Sequence, residues 1–498
     1  MERVIRVSLR QLLSQLPGAE VRGDIETTIQ GISYDSRKVE PGFLFVALKG
    51  SANDGHKYVG EAIKRGALSV VVQEEIDQAV PVPVIKVPDS RKALARLASV
   101  FFGWPQRKLD LIGITGTNGK TTTSYLVETI FEVAGLKPAV IGTINYRCGN
   151  TKCPAPVTTP ESLDLMRAFT KAAKMGATHA VVEVSSHALD QGRVSDCRFK
   201  VGVFTNLSRD HLDYHGSMED YFQAKSLLFT ELLGDTQDSG SVAVINVDNP
   251  YGRRLAQMAT TSIITYGLDG SCDVTVRDVD VSEEGIKGRL ISPAGEKEVF
   301  CPLVGRFNLY NTLAAVSCAL CLDIPLEAIL EGLSSIVSIP GRLETVKNSA
   351  GITVLVDYAH TPDALEKVLR DLRSVARKRI ITVFGCGGDR DKGKRPEMGR
   401  IAVAMSDLVV ITSDNPRTED PQLIVEDIIK GAREVKGGAS YMVELDREKA
   451  IEAALSRAGK GDVVLIAGKG HEDYQIVGTQ KRPFDDRKVA AQILARIG

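Results

Sequence analysis

The chain is 498 residues long, 43% of them hydrophobic, with a net charge of -1. That length suggests about three domains of ~150 residues, and the balanced charge excludes a global field that would gather nucleic acid or a membrane surface, so any anion must be met locally. Eight cysteines, scattered singly without paired metal-type spacing, fit reduced and mostly buried thiols in a cytoplasmic protein.

In chain order, the opening run MERVIRVSLRQLLSQL is broken by Arg3, Arg6 and Arg10 and lacks a signal-peptide core. No later apolar run approaches the ~18 residues of a membrane span. Residues 1–104 mix short strands and helices: FLFVALKG, LSVVVQ and VPVIKV read as strands, SRKALARLASVFFG as a helix. Trp104 and Pro105 mark a first boundary. Residues 105–340 open with strand, glycine loop and amphipathic helix in LDLIGITGTNGKTTTSYLVETIFEVAG, then show strands at THAVVEV, VGVFTNL and SVAVINVD. This alternation predicts a largely parallel sheet with helices on its faces. A helix begins in GRFNLYNTLAAVSCALCL, and SIPGRLETV marks a second boundary. Residues 341–498 repeat the theme in four strand-then-loop units, ITVLVDY, RIITVFGCGG, DLVVITSDN and DVVLIAGKG. Ligands of such sheets gather at the loops after the strand C-termini, where nearly all the chemistry-bearing motifs of these two blocks fall.

The stretch GITGTNGKTTT spans residues 113–123. Backbone N–H groups of a glycine loop and the following helix start can cradle phosphates, with Lys120 on the β- and γ-phosphates and the Thr121 hydroxyl on Mg²⁺. Ile114 stands where the strict pattern G-x-x-x-x-G-K-S/T has its first glycine, so the match is the looser G-x-x-G-K-T. The strand before and the helix after favour a phosphate loop over an ordinary capped turn. Glu183 lies near the end of AVVEV, and His211 in the loop after the next strand. A carboxylate and an imidazole there can hold a divalent cation. Mg²⁺ prefers oxygen, however, and a core glutamate with a hydrogen-bonded loop histidine fits the spacing as well. Lys225 lies on an apolar helix in YFQAKSLLF, where a snorkelling side chain is the simple expectation. In ITSDNPRTEDP, turn chemistry accounts for Asp414, Asn415 and Pro416. It leaves Arg417 either to cap the following helix or to meet an anion.

The motifs GTNGKTTT, EVSSHALDQGR, TNLSRDHLDYHG, FQAKSLLF, GRFNLYN, PGRLE, DYAHTPDAL, GCGGDRDKGKR, DNPR and AGKGHE follow one another along the chain. In order and spacing the sequence resembles the Mur ligases over essentially its whole length. The resemblance implies an α/β fold of three domains. These are an N-terminal α/β nucleotide-sugar domain over 1–104, a central P-loop ATPase domain with a mostly parallel sheet over 105–340, and a C-terminal Rossmann-like amino-acid domain over 341–498. It implies ATP-dependent ligation of meso-diaminopimelate to UDP-N-acetylmuramoyl-L-alanyl-D-glutamate through an acyl phosphate, in peptidoglycan precursor synthesis. A cytoplasmic monomer is expected, with small-molecule substrates and neither nucleic acid nor membrane as partner.

By resemblance, Gly116, Thr117, Asn118, Gly119, Lys120, Thr121 and Thr122 match the ATP loop, and Asn308 and Arg342 match residues near the base and phosphates. Lys120, Glu183, His211 and Lys225 match the catalytic set. Thr121, Glu183, His211 and a carbamylated Lys225 match Mg²⁺ ligands; carbamylation turns an ammonium into a carboxylate-like oxygen donor. Ser36 in YDSRKV matches a uridine-side position, and Thr158, Thr159, Ser185, Gln191 and Arg193 match contacts to the sugar-peptide. The loop SANDG and Val157 depart from the pattern at the sugar contacts. Arg390, Asp414, Asn415, Pro416, Arg417, Gly468 and Glu472 match a diaminopimelate pocket. There Arg417 and Arg390 would read the distal carboxylate that lysine lacks, and Asp414 would face the distal ammonium.

DNPR speaks against the alternative of a lysine-adding ligase of the same family. The nucleotide-sugar block speaks against a folate-polyglutamate ligase. The intact set Lys120, Thr121, Glu183, His211 and Lys225 speaks against a non-catalytic binding paralogue. Domain closure is the expected accompanying motion.

Overall fold

Short β-branched runs of the first block pair into one sheet. Its strands are β1 (Glu20–Arg22), β2 (Gly31–Ser33), β3 (Phe43–Val46), β4 (Ala67–Val72) and β5 (Val84–Lys86), in the order β1-β5-β4-β3-β2. Only the β1–β5 pair is antiparallel. Helix α1 (Ser90–Phe101) follows, capped by Asp89, whose carboxylate accepts from the amides of Arg91 and Lys92; a cap of this kind contributes about 1 kcal/mol. The computed structural model describes residues 5–50, 53–76, 80–234, 240–282 and 284–497.

The second block builds an eight-stranded sheet from β6 (Asp110–Thr115), β7 (Pro138–Ile141), β8 (Asn145–Cys148), β9 (Thr151–Pro154), β10 (His179–Glu183), β11 (Val201–Phe204), β12 (Val242–Asn246) and β13 (Ser262–Tyr266). The order is β9-β8-β7-β10-β6-β11-β12-β13. All pairs are parallel except those of the β8–β9 hairpin edge. Strands β6, β10 and β11 are buried almost throughout, as central parallel strands covered on both faces must be. They are neighbours, so the loops that follow them open at one end of the sheet. Helix α2 (Lys120–Val133) leaves the first of those loops, and α3 (Ser162–Lys174) packs on α1.

Packing gathers Met1–Val274 with Ala314–Ile329 in one compact unit, and Thr275–Leu313 with Leu330–Gly498 in another. The first block and the central sheet thus share a unit across the sequence boundary at Trp104. Leu94, Leu97 and Phe101 of α1 join Leu163, Met166 and Phe169 of α3 in one apolar cluster. Polar ties reinforce it: the Tyr34 hydroxyl donates to Asp164, Arg91 to Glu161, and Arg167 to the Ile32 carbonyl.

The second unit contains a three-stranded antiparallel sheet, β14 (Thr275–Ser282), β15 (Gly285–Ser292) and β16 (Gly295–Cys301). The strand-helix alternation did not foretell it. These strands carry charges along much of their length, as in GEKEVFC, and lack the apolar runs that mark a parallel core. A six-stranded sheet follows, built from β17 (Glu344–Thr345), β18 (Thr353–Asp357), β19 (Ile380–Phe384), β20 (Leu408–Ile411), β21 (Ser440–Val443) and β22 (Val463–Ala467). Its order is β17-β18-β22-β19-β20-β21, parallel except at β17. Strands β23 (Tyr474–Val477) and β24 (Gln480–Pro483) form a separate hairpin. Among the described residues no helix is long and apolar enough to cross a membrane.

Candidate functional site

Gly116 leaves β6 with φ +145° and Gly119 enters α2 with φ +90°, backbone conformations that side chains rarely adopt. A Cβ on Gly116 would lie 1.9 Å from Thr205 Oγ1, so the loop after β11 presses directly on this glycine. That loop also holds its neighbours. Thr205 Oγ1 donates to the Asn118 carbonyl at 2.6 Å, the Asn118 amide to Asn206 Oδ1 at 3.1 Å, and the Thr117 amide to the Asn206 carbonyl at 2.8 Å. Among the described residues the buried Asn118 Nδ2 has no hydrogen-bond partner. Lys120 Nζ donates to the carbonyls of Gly116 and Thr117 at 2.7 and 3.0 Å. Thr121 and Thr122 are buried in the first turn of α2. A rigid glycine loop, a helix N-terminus and a lysine make an anion cradle.

Glu183, at the end of β10, is 1% exposed. Its carboxylate accepts from Thr121 Oγ1 at 2.9 Å, Thr143 Oγ1 at 2.8 Å and the Thr143 amide at 3.2 Å. A Cβ on Gly142 would come within 2.2 Å of Glu183 Oε1, so a glycine is required beside it. Lys225 lies on helix α4 (Met218–Thr230), 2% exposed, and donates to the Gly116 carbonyl at 3.0 Å. It is therefore not a snorkelling side chain. Burial first, and then the charge of Lys120, hold its amine well below the ordinary lysine range; a buried ammonium without a counter-ion is disfavoured. Two lysines thus converge on one main-chain carbonyl.

His211 has φ +53° and opens the helical turn Leu212–His215. Burial lowers its imidazole; Asp210 opposes that, and Lys120 and Lys225 add to it. Among the described residues no hydrogen bond joins it to Glu183 or Lys225. Its ring lies 4.9 Å from His187, which lies 5.5 Å from His215. Burial, then the neighbouring His211 and His215, bring His187 down to about 4. The sequence reading missed His187 and His215. The available signal was density: HALDQGR and DHLDYHG carry three of the seven histidines.

The residues matched to the sugar-peptide form one network on the strand end that carries Glu183. Thr159 Oγ1 donates to the Glu183 carbonyl at 2.7 Å and accepts from the Ser185 amide at 3.0 Å. Ser185 accepts from the Ala188 amide at 3.2 Å. Arg193 reaches Gln191 Oε1 at 2.7 Å and the Thr159 carbonyl at 2.9 Å. Gln191 Nε2 donates to the Tyr214 hydroxyl at 3.0 Å, and Thr158 Oγ1 lies 3.1 Å from Thr143 Oγ1. Val157 is exposed, and its carbonyl accepts from the Tyr146 hydroxyl at 2.8 Å. Ser36 lies apart from this network, its hydroxyl donating to Glu61 at 3.0 Å. Residues 51 and 52 of the SANDG loop lie outside the described residues.

In the second unit, Asn308 is buried, donating to the Val304 carbonyl at 2.7 Å and accepting from Asn311 at 2.8 Å. The Arg342 guanidinium lies 5.0 Å over the Tyr358 ring. The loop after β20 carries Arg417 at φ +54°. Its amide donates to the Ile476 carbonyl at 3.1 Å and its carbonyl accepts from the Gly478 amide at 2.7 Å, so the β23–β24 hairpin clamps it on both sides. Asn415 adds a side-chain strut, accepting from the Ile476 amide at 2.9 Å and donating to Glu472 at 2.9 Å. The Pro416 carbonyl lies 1.9 Å from where a Cβ on Gly388 would stand. Gly468, at φ +114°, follows β22 close to Asp414.

Lys469, with no exposed side-chain surface, pairs with Asp414 at 3.3 Å and Glu472 at 3.4 Å. The sequence reading missed this lysine inside AGKGHE. The Arg417 Nη1 donates to the Gly388 carbonyl at 2.7 Å, and Arg390 Nη1 to the Asp389 carbonyl at 3.2 Å. Neither arginine ion-pairs with a carboxylate among the described residues. The following helix, α5 (Pro421–Ala432), is capped by Asp420 rather than Arg417.

Comparison with known proteins matches residues 28–102 to the Mur ligase family catalytic domain, 114–319 to the Mur ligase middle domain and 341–470 to the Mur ligase glutamate ligase domain. The chain is 50% identical over 497 residues to UDP-N-acetylmuramoyl-L-alanyl-D-glutamate–2,6-diaminopimelate ligase of Geobacter metallireducens, covering 97% of each. The chain belongs to the Mur ligase family. A ligase of the same name from Gloeobacter violaceus is 48% identical to this Mur ligase, covering 98% of each. A solved structure of that name superposes with a TM-score of 0.71 at 35% identity, covering 98% of this Mur ligase and 99% of that chain. A MurF ligase from Thermotoga maritima in complex with ADP shares the fold, with a TM-score of 0.61 at 20% identity, covering 94% and 96%.

Proposed function

We propose that this Mur ligase joins meso-diaminopimelate to UDP-N-acetylmuramoyl-L-alanyl-D-glutamate, driven by ATP, in the cytoplasmic synthesis of a peptidoglycan precursor. The observation that carries the choice of amino acid is Arg417, its backbone fixed by a main-chain clamp beside an acid pair that shares one lysine. A monomer suffices for this reading, with residues 1–104 for the nucleotide-sugar, 105–340 for ATP and 341–498 for the amino acid.

A carboxylate and an amine do not condense at neutral pH, because the carboxylate is a poor electrophile. Transfer of the γ-phosphoryl group corrects this. The acceptor carboxylate oxygen bonds to the γ-phosphorus as the bond to ADP breaks, leaving an acyl phosphate. The amine attacks the acyl carbon and loses a proton, and the tetrahedral intermediate expels phosphate. Gly116, Gly119 and the first amides of α2 bind the phosphates, Lys120 neutralises their charge, and the unpartnered Asn118 Nδ2 is a further donor for a phosphate oxygen. The Thr159–Arg193–Gln191 network and Ser185 orient the sugar-peptide, with Thr158 beside them and Ser36 on the uridine.

The donor set fits a hard divalent cation. Thr121 Oγ1 and the Glu183 carboxylate lie 2.9 Å apart, both oxygen donors, with His211 as a nitrogen ligand. Lys225 as an ammonium would repel a cation. Burial favours its neutral amine, which can add to carbon dioxide: the C–N bond forms, one C=O electron pair moves to oxygen, and a proton leaves. The resulting carbamate offers oxygens in place of a positive charge. Bound Mg²⁺ supplies neutralisation of the anions that must approach one another.

Arg417 and Arg390 read the distal carboxylate of diaminopimelate through guanidinium forks, which a lysine guest would leave unmatched. Leaving such groups unpaired supports discrimination of ~10³-fold or more. The test is phosphate release from ATP by the purified chain. Release is expected only with both the nucleotide-sugar dipeptide and diaminopimelate. Equal release with lysine would overturn the specificity, and release without either acceptor would overturn the reaction.

A further inference from the structure

We infer that the first unit carries a second anion site, a pocket for a small phosphate ester at the strand N-terminal end of the central sheet, opposite the glycine loop. A cavity of about 350 Å³ lies there, within the size range of small-molecule sites. Three separate stretches build it. Arg96 comes from α1, Gln106 and Arg107 from the turn Pro105–Lys108 that leads into β6, and Asp196 and Arg198 from the segment that leads into β11. Residues that precede β6 and β11 stand at the strand N-termini. The glycine loop follows β6, so six residues of strand separate the two sites, a distance on the order of 20 Å. The cavity is therefore no part of the ATP cradle.

Its chemistry is that of an anion receptor. Three guanidiniums line it with one carboxylate, and Asp196 pairs with Arg96 at 3.0 Å and with the Ser99 hydroxyl. Arg107 stacks over the Trp104 ring at 3.8 Å. Among the described residues its guanidinium donates no hydrogen bond. Arg198 reaches only main-chain carbonyls, those of Ser195 and Cys197. Forks held over an aromatic face and lacking a carboxylate are suited to phosphoryl oxygens.

A second observation specifies more than a bare ion. Gln106 is 4% exposed. Its Nε2 is committed to Ser99 Oγ at 2.9 Å and the Asp196 carbonyl at 3.2 Å, which fixes the amide orientation. Among the described residues its Oε1 accepts no hydrogen bond. A buried acceptor calls for a donor, so a hydroxyl on the guest, beside its phosphate, suits this amide. The cavity also exceeds what a single phosphate fills. Hydroxyl and phosphoryl together define a sugar phosphate or a similar ester.

Trp104 is the single tryptophan of the chain and lines this cavity, so its emission reports occupancy. The full chain, free of nucleotide, is titrated with glucose 6-phosphate, with inorganic phosphate, and with potassium chloride at matched ionic strength. Calorimetry on the same samples gives affinity independently of the fluorophore. A saturable response to the ester at a Kd of about 1 mM or below is expected, with weaker binding of inorganic phosphate and none of chloride. The exposed-side substitutions Arg107→Gln and Arg198→Gln should each weaken it about tenfold, and Lys120→Ala should leave it intact. The inference is overturned by no saturable binding of either phosphate, by unchanged affinity in both arginine variants, or by loss of binding in Lys120→Ala. Inorganic phosphate binding as tightly as the ester would overturn the ester assignment.

Discussion

Two buried lysines distinguish the loop ends of the two sheets. Lys225 in the first unit donates to the Gly116 carbonyl, with Lys120 on the same oxygen, and lies 4.6 Å over the Tyr221 ring. Lys469 in the second lies between Asp414 and Glu472. Burial is equal, so partners decide what each lysine does. The first cluster gathers positive groups around a main-chain oxygen and is built to receive negative charge from outside, as phosphate or as a carbamate. The second pairs its lysine with two carboxylates, and leaves Arg390 and Arg417 without a carboxylate partner among the described residues.

That contrast breaks most sharply at Lys120. Lys120→Ala should lower kcat by ~10³-fold or more, because the transferred phosphoryl group loses its nearest fixed cation; steady-state phosphate release measures it. Arg417→Ala should lower kcat/KM for diaminopimelate by ~10²–10³-fold while calorimetric binding of the nucleotide-sugar dipeptide stays unchanged. Wild-type turnover of this variant would end the guest-reading role of the guanidinium. Lys469→Met should leave the buried Asp414 and the half-buried Glu472 without their shared cation and reduce unfolding free energy by ~3 kcal/mol in denaturant titrations. The mirror change, Lys225→Met, removes a buried amine held in its neutral form and should be near neutral by the same measurement, though inactive.

The smallest effect concerns pH. His471, beside Lys469, is held from 6.5 to about 4, by burial first and then by Arg342 and Arg487. Between those values the unfolded chain takes up a proton that the folded histidine refuses, so its contribution is complete above pH 6.5 and is lost as pH falls toward 4. His471→Gln should flatten the decline of the melting midpoint between pH 7 and 5, the interval that spans most of that shift. An identical slope in both proteins would exclude His471 as its source.

The phosphate loop, the parallel sheets and the strand-end placement of the motifs were readable in the sequence, because glycine spacing and apolar runs are local signals. What was not readable is relational. Lys469 and Asp414 are 55 residues apart, and nothing near either announces the pair. Lys225 read alone suggests snorkelling; only its depth under the Gly116 loop contradicts that. The antiparallel sheet β14–β16 escaped because charged residues interrupt its apolar positions, as in GEKEVFC. The boundary at Trp104 was visible as composition, but not the cluster through which α1 binds α3. His187 and His215 carry no motif of their own and matter only as neighbours of His211.

The hairpin β23–β24 grips Arg417 entirely through peptide groups. Peptide groups are the same whatever side chains they carry. The bend that presents this arginine is therefore insulated from change at the arginine itself. An engineer who wants another diamino acid accepted can replace that single side chain and inherit the curve unaltered. Trimming the hairpin would discard every version of the pocket at once.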